Sequence, residues 1–115
     1  MRAKLLPSGA VALSTSAVVG GVETPLASTA VAGLVVSPGQ QLRLRLQVTG
    51  TSPTTVSARA WLAGTAEPTA WQLTSTDSAA ALQAPGAVGL ISYLSGSATA
   101  PVTVSWDDLS VITAG

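Results

Sequence analysis

Between positions 41 and 49 the chain reads QLRLRLQVT, so Leu42, Leu44, Leu46 and Val48 alternate with Arg43, Arg45 and Gln47. A pleated strand sends successive side chains to opposite faces, and strict period-2 alternation is the mark of a half-buried β-strand. This segment therefore commits the chain to a sheet with one apolar and one solvated face. Arg59 falls on the next strand-like segment, which places three of the five basic residues on strands that share a solvated face.

Turn signals divide the rest of the sequence into similar pieces. Residues 2–6 read as a short strand closed by Pro7-Ser8-Gly9, and residues 10–19 as a second strand ended by Gly20-Gly21. That dipeptide suits a two-residue hairpin because both positions accept positive φ. Residues 22–31 follow, with Pro25 marking an edge position or a bulge. After Ser37-Pro38-Gly39 comes the alternating strand, and then residues 55–62. There Val56, Ala58, Ala60 and Leu62 take one face and Ser57, Arg59 and Trp61 the other.

Residues 71–76 form a short strand, and Asp77 is placed to cap one helical turn reaching Leu82. Residues 87–94 and 102–112 complete the set. In the last, Val102, Val104 and Trp106 have one parity and Leu109 and Val111 the other, so a bulge at Asp107-Asp108 would return both sets to one face. Turns about every ten residues with no helical period predict an all-β chain, an antiparallel β-sandwich or jelly roll. Its 115 residues make one domain, 1–115.

The residues available for a core are small. Hydrophobic types make up 47% of the chain, but aromatics only 3% with no Phe, so each buried position removes little apolar area from water. A chain of this size buries roughly two-thirds of its unfolded surface, which favours self-association or a partner. Net charge is zero, against the basic excess a nucleic-acid binder needs. The absence of Cys rules out disulfides and thiolate metal sites, and the absence of His removes the commonest general base and metal ligand. No cofactor is implied. Pro7, Ser8 and Gly9 interrupt any signal-peptide helix, and no run approaches the ~20 apolar residues of a membrane-spanning helix.

Few residues are left as functional candidates. Asp107 and Asp108, adjacent on a strand, would point to opposite faces and could not flank a glycosidic bond at about 5–9 Å. They read as a solvated bulge. Glu67 is isolated in a loop beside Pro68. No catalytic constellation emerges, so the sequence predicts a protein that is not an enzyme. Trp71 and Trp106 are expected to be at least half buried in the core. Trp61 differs, sharing parity with Ser57 and Arg59 on the polar face, and is the leading contact residue for a partner or a sugar, with an inter-sheet role as the alternative. Arg43, Arg45 and Arg59 are expected to form a cross-strand ladder beside it.

The runs VSARAWLAGTAEPTAWQL and GAVGLISYLSGSATAPVTVSWDDLSV carry an arginine-bearing strand ending in Trp61, the E-P-x-x-W element of Glu67, Pro68 and Trp71, a V-G-L strand, and a closing Trp106-Asp107-Asp108. With PSGAVALS, GGVETPLAS and SPGQQLRLRLQVTG upstream, the chain resembles the concanavalin A-like lectin/glucanase (laminin-G-like) β-sandwich domains of actinobacterial surface proteins and actinophage tail proteins. Such domains run to about 200 residues, within the single-domain range, and the resemblance implies that roughly the first third to half is missing. The chain would then be a fragment, or a shortened module completing its sheet with another chain. The E-x-D-x-E carboxylates of the family's glucanases have no counterpart here.

Together these readings predict a non-catalytic structural or interaction module at a virion surface, capsid-decorating or tail-associated. Its partners would be itself, as a homo-oligomer with a trimer preferred, or a larger capsid or tail protein. The N-terminal strand and the Pro25 strand are the expected pairing edges. The alternative is a carbohydrate-binding module of a larger secreted or cell-surface protein.

Overall fold

The structure, a computed structural model, describes residues 1–114. The chain divides into two units, Met1–Ala84 and Pro85–Gly115. The first is all-β. Strands β1 (Arg2–Leu5), β2 (Ala10–Val19) and β3 (Val22–Val35) form one antiparallel sheet in that order. Strands β4 (Leu42–Thr49), β5 (Thr54–Leu62) and β6 (Leu73–Asp77) form a second. The two sheets pack face to face as a sandwich.

Turn chemistry sets the registers. Gly20 and Gly21 have φ of 58° and 80°, and Val19 pairs directly with Val22 across them, the two-residue hairpin that the dipeptide predicts. Gly9, at φ 84°, meets a different demand. It closes the β1–β2 turn by donating to the Leu6 carbonyl at 2.8 Å, and its own carbonyl accepts from Val36 N–H at 2.8 Å. A Cβ at this position would lie 2.5 Å from the Val36 carbonyl oxygen, so no other residue fits without moving the backbone. Further along, Ser16 pairs with Pro25 but Thr15 pairs with Ala27, leaving Leu26 as the extra residue of a bulge. Pro25 thus sits both on an edge strand and at a bulge, the two settings where its missing N–H costs least.

The core lies between β2–β3 and β5–β6. Val11, Leu13 and Val31 from the first sheet meet Ala58, Ala60 and Leu73 from the second. One polar contact crosses this layer, where the hydroxyls of Thr15 and Ser75 are 2.8 Å apart. Small side chains on β5 let the sheets approach, at the expense of area per residue. At the sheet edge β4 is covered unevenly. Leu42 and Leu44 pack against the core, but Leu46 and Val48 on the same inner face are 44% and 52% exposed. The sandwich is closed over β5 and β6 and open under the far half of β4.

Two expectations are corrected here. Asp77 ends β6 instead of capping a helical turn; a single 3₁₀ turn spans Ala80–Leu82 with Ala79 at its N-cap and no side-chain cap bond. The side chain that organises this corner is Gln83. Its Oε1 accepts from Ser52 N–H at 2.7 Å and Thr54 Oγ1 at 2.8 Å, and its Nε2 donates to the Asp77 and Ala79 carbonyls.

The second correction concerns the other unit. Residues 87–94 and 102–112 were expected as strands, but residues 85–114 form no helix or strand. Alternation fixes which side chains share a face, whereas a ladder also needs a partner for its N–H and C=O groups. The unit instead holds a turn in which Ala98 N–H donates to Ser95 O at 3.0 Å, and a bond from Trp106 Nε1 to Ser92 Oγ at 2.8 Å. Trp106, expected to be at least half buried, is 49% exposed. At the expected bulge the backbone does kink: Asp108 has φ 54°, and its N–H donates to Asp107 Oδ1 at 2.8 Å.

Candidate functional site on the outer face of the second sheet

The register of β4 on β5 places Arg43 opposite Trp61, Arg45 opposite Arg59 and Gln47 opposite Ser57. Directly opposed residues share a face. The four residues singled out by the sequence, Arg43, Arg45, Arg59 and Trp61, therefore lie together on the outer face of the second sheet. Two guanidinium groups facing each other across adjacent strands would repel if left alone.

Glu67 prevents that. The loop after β5 brings its carboxylate back over the sheet, where Oε1 accepts from Arg59 Nε at 2.7 Å and stands 3.0 Å from Arg45 Nε. Arg59 Nη2 reaches the same oxygen, and Nη1 donates to the Thr69 carbonyl at 3.1 Å. The guanidinium carbon lies 4.4 Å from the centre of the Trp71 ring. With its side chain only 13% exposed, Arg59 is fixed on three sides: by a carboxylate, by a carbonyl and by an aromatic face.

Sequence reasoning missed two members of this group. Glu67, in a loop, reads as isolated, and Trp71 is expected to be at least half buried, as it is, but with no partner named for it. Trp71 is half-buried, but against Arg59 on the outer face. The spacing E-P-x-x-W was the available signal, since a hairpin-length return after Arg59 can bring both residues onto the arginine.

Gln72, next to Trp71, anchors the return. Its Oε1 accepts from Ala60 N–H at 2.8 Å and its Nε2 donates to Ala60 O at 3.1 Å, while its own N–H donates to Ala58 O at 3.1 Å. The side-chain amide thus does for β5 what a β6 backbone would do two residues earlier. Beside it an open cleft of about 290 Å³ is lined by Val31, Gly33, Leu34, Trp61, Leu62 and Pro68. Trp61, half-buried, forms its wall at the end of β5.

Chemically the face offers a rigid cation pair shared with one carboxylate, a guanidinium–indole stack, and a second indole beside an apolar cleft. Such a surface can stack on a flat apolar or sugar ring and donate hydrogen bonds at its margin. Among the described residues no three His, Cys, Asp or Glu side chains converge as a metal site would require. Compared with known proteins, the chain matches no family model, and no curated protein and no solved structure matches it significantly.

Proposed function

We propose that this chain is a non-catalytic interaction module that works by assembling, with a virion accessory role, capsid-decorating or tail-associated, as the setting suggested by its lectin-like sequence runs. One observation carries the assembly reading. The segment 85–112 is rich in large apolar side chains in strand-like alternation, and they face solvent, with Ile91 and Tyr93 each 89% exposed and Val88, Leu90, Val102, Val104, Trp106 and Val111 exposed as well. Apolar surface of this extent and patterning is stable in water only when another surface covers it. A small Val/Ala/Leu core has little stability in reserve to carry it uncovered.

Light scattering on the whole chain tests this reading. Assembly at micromolar concentration is expected, and a folded monomer at that concentration would overturn it. A carbohydrate-binding role is the second reading, supported by Trp61 at the wall of the open cleft. Under either, Asp107 and Asp108 have no hydrolytic role. A panel of β-glucans and galactans should show no turnover, and Asp107→Asn with Asp108→Asn should change nothing that depends on hydrolysis.

A further inference from the structure

We infer that Lys4 of a second copy of this chain docks in a recess between the sheets of the first unit, its aliphatic stem against Leu26, Val48, Val56 and Leu82 and its ammonium on the Asp77 carboxylate. The inference rests on the assembly reading above and names the charged contact that orients the copies.

The recess is built by the end of β6. On this edge strand the inner-face row runs Leu73, Ser75, Asp77. Leu73 is in the core and Ser75 meets Thr15 across the layer, so Asp77 turns a charge toward the gap between the sheets. Asp77 is half-buried, and its carboxylate accepts one long bond, 3.4 Å from Gln83 Nε2. Beside it a shallow hollow of about 170 Å³ opens among Leu26, Val48, Val56 and Leu82, with Thr54 on its wall. An apolar cavity of roughly 150 Å³ holds a benzene-sized molecule, so a lysine stem has room. Gln83 fixes the shape by binding Thr54 Oγ1 at 2.8 Å and the Asp77 carbonyl at 3.1 Å. A carboxylate at the rim of an apolar trough selects a cation carried on an apolar stem, and lysine is such a side chain.

The charge pattern selects the occupant. In the first unit Arg2 is paired with Glu23, and Arg45 and Arg59 share Glu67. Among the described residues Lys4 and Asp77 have no ion-pair partner. Lys4 is the only lysine of the chain, and it is exposed. The two cannot meet within one chain. Lys4 stands opposite Ala12, which alternates with the buried Val11 and Leu13, so it projects from the outer face of the first sheet. The recess lies under the inner face of that sheet at Ser16 and Ala17, about 13 Å further along β2. The sheet itself stands between them. Leu5 and Leu6, 52% and 39% exposed, carry apolar surface beside the lysine, and Val48, 52% exposed, offers it at the mouth of the recess. Both charges stay at the rim, so pairing strips little of their hydration. Lysine and recess are different patches, which makes the contact heterologous, and copies related by a closing rotation form a ring.

A single lysine makes the test clean. Carbodiimide coupling of a mixture of isotope-labelled and unlabelled chains should join Lys4 of one copy to Asp77 of another, read by mass spectrometry as a mixed-label peptide pair. Lys4→Ala removes the knob and Asp77→Asn the charge in the recess. Each variant alone should associate about tenfold more weakly than the parent. Their equimolar mixture should recover a heterodimer, because one still offers the recess and the other still offers the lysine. Lys4 is exposed, so its variant keeps the test decisive even where Asp77→Asn disturbs the fold. Parent-like association of Lys4→Ala, or a Lys4–Asp77 link formed only within one chain, would overturn this contact and leave the assembly reading standing. A monomeric parent would overturn both. If n-butylammonium added to that monomer shifts the methyl signals of Val48 and Leu82, the recess takes a cation from a source other than a second copy.

Discussion

Arg59 shows how much one side chain can organise on a sheet surface. Its fork holds Glu67 and the Thr69 carbonyl while its plane lies on Trp71. Lysine keeps the charge but offers a point donor in place of a planar fork. Arg59→Lys should therefore cost about 1–2 kcal/mol in unfolding free energy and shift the fluorescence of Trp71. Trp61→Ala acts differently. It removes a half-buried wall of the cleft and no part of the core, so the melting temperature should stay near that of the parent while association or ligand binding falls. A large loss of stability with unchanged oligomer mass would mean that Trp61 serves the core. At the opposite sheet, a hydrogen bond from Ser16 and the charge of Arg2 hold the Glu23 carboxyl below the usual carboxylate range. A depressed carboxyl contributes stability above its ordinary pKa and loses it as pH falls through the folded value. An NMR titration should find Glu23 titrating below an unperturbed glutamate, and Arg2→Ala should move it back upward.

Among the elements, the strands whose alternation is strict were legible, and those whose partner lies elsewhere were not. Residues 41–49 announced both faces of β4, and Gly20-Gly21 announced its hairpin, because side-chain direction and turn geometry are local properties. The outward grouping of Arg43, Arg45, Arg59 and Trp61 followed from parity alone. Glu67 and Trp71 did not, since their place depends on how the loop after β5 folds back, which no periodicity records. Residues 87–94 and 102–112 have equally good strand patterns yet form no ladder, because alternation does not name a partner. β3 runs to Val35, past the expected end at position 31, and Gly33 at φ 72° lets the strand leave and rejoin its register. At the β1–β2 turn, Gly9→Ala should destabilise the fold by about 1–3 kcal/mol, combining strain at positive φ with the clash against Val36 O. Chemical denaturation would measure it, and a cost below half a kcal/mol would show the turn relaxes freely.

For the whole molecule, stability is concentrated in a thin layer. Val11, Leu13, Ala58 and Ala60 are almost fully buried, whereas the inner face of β4 is half open. Hydrogen exchange at dilution should thus show the slowest amides in β2 and β5 and fast exchange across residues 87–112. At concentrations where the chain assembles, the exposed apolar segment 87–112 should gain protection. Protection appearing in β1 or β3 instead would move the contact to the first sheet, whose edges are also unpaired. In either case the amides of β5 should change least, since both its neighbours are already in place.

Gln72 has a consequence beyond its own two hydrogen bonds. By occupying the N–H and C=O of Ala60, its amide completes the pairing of β5 on the side away from β4 at the point where β6 has not yet begun. The second sheet already ends in two edge strands, β4 and β6, so what Gln72 protects is the far end of its central strand. Replacing Gln72 by Ala would leave the N–H and C=O of the almost fully buried Ala60 without these two partners. Gln72→Ala should therefore lower the unfolding free energy by about 1–3 kcal/mol in chemical denaturation, the cost of stranding one peptide group inside the fold.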